Sequence, residues 1–284
     1  MNYKEQWGSP HPGHIIFLID LSNSMNDWAD NEKTITRFDL AKKCLERSIR
    51  DISLGCYDAE TDNVLNRAYI TVIGYGRQYD NVEILREGWA TTWHSDSVAN
   101  KKGVPFPGLE ISGEGWTPMA GAFQMAKECL VSFRESIEEQ IDNPDPNRPK
   151  NLIGIGNPVV LNITDGRTSD FEQVDGYEEL VKKSATELIN TYSDDGGNIY
   201  LLNAHIGSGK EILLPSDRQE IAGIPEAEFL FDISSSLSAN LAKSAASVFP
   251  RPDGAKPISE GCKGFVANSK TNTFTKFINW GSQK

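Results

Sequence analysis

A doubly wound α/β fold, with a mainly parallel sheet covered by helices on both faces, is the architecture this sequence predicts. Short apolar runs alternate along the chain with stretches of helical periodicity, the pattern of strands joined by crossover helices. Two of the runs, His14 to Ile19 and Val159 to Thr164, are followed directly by a carboxylate, Asp20 and Asp165. In an open parallel sheet the carboxyl ends of the strands form the crevice where ligands sit, so these two acids mark one end of the sheet as the functional one.

The elements follow in order. The first strand is His14 to Asp20. After a polar loop, Thr36-Arg37-Phe38-Asp39 has the form of a capping box, and Phe38, Ala41, Leu45 and Ile52 mark one face of the helix behind it. Tyr69 to Tyr75 and Val82 to Leu85 are too close in sequence for a crossover and pair as a hairpin, which makes the second an antiparallel edge strand. Trp89, Trp93 and His94 then read as the start of a long polar loop. Met119, Phe123, Ala126, Leu130, Phe133 and Ile137 trace the clearest helix, with Thr117 as its N-cap and Pro118 at its first position. The proline-rich stretch Asn143 to Pro149 breaks the chain before the strand Val159 to Thr164. A helix over 171–192, a strand from Asn198 to Ala204, a short strand near Glu228 to Asp232, a helix around Leu237 to Phe249, a strand Gly264 to Ala267 and a helix carrying Phe274, Phe277 and Ile278 complete the alternation. Residues 1–13 read as an N-terminal tail, and 14–284 as a single domain.

Composition narrows the function. The formal net charge of −12 makes the surface repel phosphate backbones, so nucleic acid is not an expected partner. No apolar run approaches the ~20 residues of a membrane span, and the polar N-terminus lacks the form of a signal peptide, which predicts a cytoplasmic protein without a membrane partner. Cys44, Cys56, Cys129 and Cys262 lack C-x-x-C spacing. They are not expected to bind zinc, and Cys44 and Cys129 fall among apolar helix positions as buried thiols.

Asp20-Leu21-Ser22-Asn23-Ser24 offers a carboxylate and two hydroxyls on alternate residues at a strand end. Three hard oxygens aimed at one point suit a divalent cation. Gly115-Trp116-Thr117-Pro118-Met119 at a helix start and Asp165-Gly166 at a second strand end add a further hydroxyl and carboxylate. Magnesium favours such oxygen donors and retains waters, so a position stays open. Together these segments resemble the metal-ion-dependent adhesion site of von Willebrand factor A (VWA) domains, and the resemblance spans residues 14 to about 250. It implies a Rossmann-like, non-enzymatic protein–protein interaction module. In it Ser22 and Ser24 hold Mg²⁺ directly (Mn²⁺ is the alternative), while Thr117, Asp20 and Asp165 exchange between direct and water-mediated contact. The open position then accepts a Glu or Asp of the partner. The late segment Phe231 to Leu237, with its Ser234-Ser235-Ser236 run, is similar to intracellular bacterial proteins of the tellurium-resistance type. That narrower resemblance implies a PP2C-type phosphatase and a Ser/Thr kinase as associates, in stress response or phage defence; the three serines themselves read first as a helix N-terminus, and as phosphorylation candidates if the kinase association holds.

Other readings remain. Gly207-Ser208-Gly209-Lys210 lacks the Gly and the Ser or Thr that a phosphate loop needs at 204 and 211, and reads as a hairpin turn. His205, following a strand at its carboxyl end, is the histidine expected nearest the metal side, whereas His11 and His14 lie at the opposite edge. A metal-dependent phosphoester hydrolase would need His205 or another base at the open position. An adaptor subunit for an AAA ATPase is a third possibility. Trp28 and Trp116, with Trp89 and Trp93, are candidate interface anchors around the site.

Overall fold

Residues alternate along the central strand between two hydrophobic layers, and that alternation organises the molecule. A computed structural model describes all residues except 5, 31, 110–112, 114, 146–150, 167–173, 252–255, 269–270 and 283–284. Among the described residues, strands β1 (Tyr3–Lys4), β2 (Gly13–Asp20), β3 (Tyr57–Asp58), β4 (Asn63–Val64), β5 (Ala68–Tyr75), β6 (Val82–Trp89), β7 (Ile155–Gly156), β8 (Val159–Thr164), β9 (Tyr200–His205), β10 (Ile212–Leu213) and β11 (Phe265–Ala267) accompany seven α-helices. These are α1 (Arg37–Gly55), α2 (Ala90–Asn100), α3 (Met119–Asp142), α4 (Tyr177–Ile189), α5 (Pro225–Ile233), α6 (Ala239–Val248) and α7 (Thr271–Ser282).

The main sheet has seven strands in the order β10-β11-β9-β8-β2-β5-β6. Its five central strands, β11 to β5, run parallel, and β6 pairs antiparallel with β5 at one edge. This is the expected doubly wound sheet, with a second antiparallel strand, β10, closing the other edge against β11. Ile15, Phe17 and Ile19 of β2 face the layer built by α1, α2, α6 and α7, while Ile16 and Leu18 face α3, α4 and α5. The order of connection reverses between β2 and β8, so the carboxyl ends of these neighbours flank a topological switch point.

Several elements differ from the sequence reading. Residues Glu228 to Asp232 lie in helix α5, because Pro225 fixes its first turn, Glu226 and Glu228 complement its N-terminal dipole, and Ala227, Leu230 and Phe231 bury one side. Residues 90–100, expected as loop, form α2: Trp93 is buried in the core, and Ser53 Oγ of α1 donates to the Ala90 carbonyl at 3.0 Å. His94 is therefore helical. Helix α3 begins at Met119 with Pro118 in the capping position, so Thr117 stands one residue before the cap. Residues 207–210 do not turn β9 into a hairpin. They lead to β10, whose partner is β11. The helix expected over 171–192 is described from Tyr177 to Ile189, its first three positions and the end of the 143–149 break lying outside the described residues. Tyr3 and Lys4 of the expected tail pair in parallel with Ile155 and Gly156. The four cysteines are thiols outside any disulfide; Cys129 is half-buried and the others are buried.

Candidate metal centre

Strand β2 delivers Asp20 to the switch point because all eight of its residues are buried, leaving the chain no freedom to slide. The Asp20 carboxylate accepts the Ser22 backbone N–H at 2.9 Å on Oδ1 and the Thr164 hydroxyl at 2.5 Å on Oδ2. A short 3₁₀ turn, Asn23–Asn26, then curls the chain so that the hydroxyls of Ser22 and Ser24 lie 3.1 Å apart. Asp20, Ser22, Thr117 and Asp165 are all buried, and Ser24 is half-buried.

The segment carrying Thr117 is drawn in by backbone contacts that only glycines permit. Gly115 accepts from Asn23 N–H at 3.1 Å and donates to the Gly76 carbonyl at 3.0 Å, and Ser22 and Gly115 form an isolated parallel bridge. Gly76 has φ +89°, and a Cβ there would meet the Trp116 carbonyl oxygen at 2.0 Å. Three separate loops are thereby sewn together: the one after β2, the one after β5 and the one before α3.

Asp165, one residue past β8, pairs with Arg37 at 2.6 Å. Burial and the neighbouring Asp165 charge push the Asp20 carboxyl up to about 7, against the lowering effect of its bonds to Thr164 and Ser22. Two buried acids that repel each other are favoured by positive charge, part of which Arg37 supplies beside Asp165. The donor set, two carboxylates and three hydroxyls, fits a hard divalent ion such as Mg²⁺. Among the described residues no group of three His, Cys, Asp or Glu side chains converges as an alternative centre.

His205, at the end of β9, is buried beside Asp165. Desolvation pulls its imidazole below the ordinary value, opposed by the Asp165 and Glu226 charges. His14 lies at the other end of β2, buried against Tyr69 and Phe133. Of the four tryptophans considered as anchors, Trp28 and Trp116 are 46% and 47% exposed at the site's rim, as is Tyr79 at 77%. Trp93 is core, and Trp89 packs edge-on to Tyr69.

No family model matches the chain, and no curated protein matches it in sequence. Solved structures similar to it include the SpRpn10 VWA domain (13% identity, 79% of this chain and 83% of that one, TM-score 0.40). The vWF domain of the type V pili tip protein Mfa5 from Porphyromonas gingivalis is another (11% identity, 79% and 87%, TM-score 0.41). The pilus adhesin SpaC from Lactobacillus rhamnosus GG aligns over 97% of this chain and 30% of its own (10% identity, TM-score 0.46). Likeness at this level decides neither fold nor function for this chain, which rest on its own topology and side chains.

Several residues of the site escaped the sequence reading. Arg37 was visible only as part of a capping box, which it also is: the Thr36 hydroxyl accepts from Asp39 N–H. Beneath the site runs a buried polar chain on the α3–α5 side of the sheet. Tyr75 donates to Asn162 Oδ1 at 2.7 Å, Asn162 to Asn203 Oδ1 at 2.9 Å, Asn203 to Ser234 Oγ at 3.0 Å, and Ser234 to the Leu230 carbonyl at 2.7 Å. A polar residue in the middle of an apolar strand, as at Asn162 and Asn203, is the signal that marks it. Ser235 accepts from Leu201 N–H, so it and Ser234 are buried structural hydroxyls. They are closed to a kinase in the folded protein, and the helix cap there is Ser238.

Proposed function

We propose that this chain is a VWA-type protein–protein interaction module whose site holds Mg²⁺, with Mn²⁺ as the alternative, through Ser22, Ser24, Thr117, Asp20 and Asp165. The observation that supports it most is the meeting of two buried carboxylates with the paired Ser22 and Ser24 hydroxyls at the switch point. The ion would supply an incompletely neutralised positive charge to which a partner's Glu or Asp docks. Trp28, Trp116 and Tyr79 then provide aromatic anchors around that charge, the residue type enriched where binding energy concentrates. Association with a PP2C-type phosphatase and a Ser/Thr kinase in a cytoplasmic bacterial stress or phage-defence system is the setting we favour, on the sequence resemblance alone.

The test is capture of host proteins by the tagged chain in Mg²⁺, in EDTA, and with Asp20→Ala or Ser22→Ala. We expect a partner retained only by the intact protein in Mg²⁺. Retention in all conditions would remove the metal from the interface. Metal-dependent hydrolysis of a phosphoester, lost in both Asp20→Ala and His205→Ala, would replace the module by a hydrolase.

A further inference from the structure

Arg37 stands where a simple metal site has no use for a cation. Its Nη1 lies 2.6 Å from Asp165 Oδ2, 3.2 Å from the Ser24 carbonyl and 3.7 Å from Asp27 Oδ2. Its side chain is 13% exposed and that of Asp165 1%. The pair is thus held largely out of water, where removing charges from solvent offsets most of their attraction and a buried ion pair is weak evidence of stabilisation. The arrangement is also imperfect, since Arg37 Nε is buried without a hydrogen-bond partner. Both facts fit a guanidinium kept for its charge at this spot rather than for the stability of its bond.

We infer that Arg37 is a resident counter-cation that weakens the binding of a divalent ion by itself and makes ion and partner carboxylate bind cooperatively. This rests on the metal reading of the site. With an ion in place both aspartates are ionised and carry two negative charges, of which Arg37 cancels one; Asp27, 3.7 Å away and 56% exposed, is largely screened by water. A divalent ion entering leaves the centre with one net positive charge, and a single carboxylate from outside makes it neutral. Without Arg37 the ion alone would neutralise the aspartates, and the centre would hold metal tightly while attracting a carboxylate less. One oxygen of Asp165 is also engaged by Arg37 and less available as a donor. Because the same guanidinium reaches Ser24 and Asp27, occupancy of the centre is tied to the segment that carries Trp28.

The experiment is Mn²⁺ binding counted by loss of the free-ion electron paramagnetic resonance signal, for the wild type, Arg37→Gln, Arg37→Met and Arg37→Lys, with melting curves in EDTA. The two neutral variants should melt lower in EDTA yet bind Mn²⁺ about tenfold or more tightly than the wild type, the scale of one unit charge acting at short range in a partly buried site. Arg37→Lys, which keeps the charge, should bind as the wild type does. Neutral variants that bind equally or more weakly, while the wild type binds, would overturn the inference and leave the metal reading standing. If wild type and all variants fail to bind Mn²⁺, the metal reading falls and this inference with it.

Discussion

Replacing Asn162 by Leu tests whether the polar chain beneath the site is a coupled unit. Leu matches the shape of Asn closely, so little cavity forms, and the cost comes from stranded partners: the buried hydroxyl of Tyr75 and Oδ1 of Asn203. Each buried polar group left without a partner costs about 1–3 kcal/mol, giving about 4 kcal/mol for the pair. Unfolding entropy of about 2.1 cal/mol/K per residue over 284 residues is about 0.6 kcal/mol/K, so the melting temperature should fall by about 7 °C. Asn203→Leu alone strands the amide of Asn162, whose other near neighbour is Met119 Sδ at 3.9 Å. The double variant strands only Tyr75, since Ser234 keeps its bond to the Leu230 carbonyl. Urea denaturation of the four proteins should therefore give a double-variant loss smaller than the sum of the singles by about 2–6 kcal/mol, the cost of two stranded groups. Additivity within about 0.5 kcal/mol, or an Asn162→Leu protein as stable as the wild type, would refute the coupling.

Gly76→Ala forces a side chain into a left-handed backbone position and against the Trp116 carbonyl. It should cost about 2–4 kcal/mol in denaturant melts, and abolish the extra stability Mg²⁺ confers, because Thr117 loses its place beside Ser22. His14 sets a pH dependence. Burial holds its imidazole down at about 3, whereas in the unfolded chain it titrates near its ordinary value of 6.5, so the unfolded state binds the extra proton between these limits. Its contribution is whole above pH 6.5 and lost as pH falls towards 3, at up to about 1.4 kcal/mol per pH unit. His14→Gln, which can still reach the Thr71 hydroxyl, should show a shallower loss of stability between pH 6 and 4 than the wild type, and equal slopes would refute this role.

The central strands were legible because β2 and β8 are buried on both faces and read as unbroken apolar runs that stop on an acid. Helix α3 was legible from its period. By contrast α5 is nine residues long, and over so short a span an apolar stretch is compatible with strand or helix. Helix α2 carries Thr91, Thr92, Ser95 and Ser97 and little periodicity; it is held by Trp93 under Arg86 and by the packing of Ala90 on α1, contacts made across the chain. The hydroxyls and carboxylates of the candidate centre could be read as motifs because each lies beside a local landmark. The role of Arg37 could not, and Asn162 showed only as a polar residue in an apolar strand, because the partners of both lie in distant elements.

The bond from the Thr164 hydroxyl to Asp20 spans 144 residues of chain, and that from Arg37 to Asp165 spans 128. Loop-closure entropy must be met before such distant contacts repay it, so these bonds are expected to form after the intervening strands β5 and β6 and helices α2 and α3 have packed. During synthesis the first half of the chain emerges with Asp20, Ser22 and Ser24 but without Thr164 or Asp165, so a truncated or half-folded molecule lacks the completed centre. Occupancy of that centre would then serve as a count of finished molecules, separating them from collapsed ones of similar size.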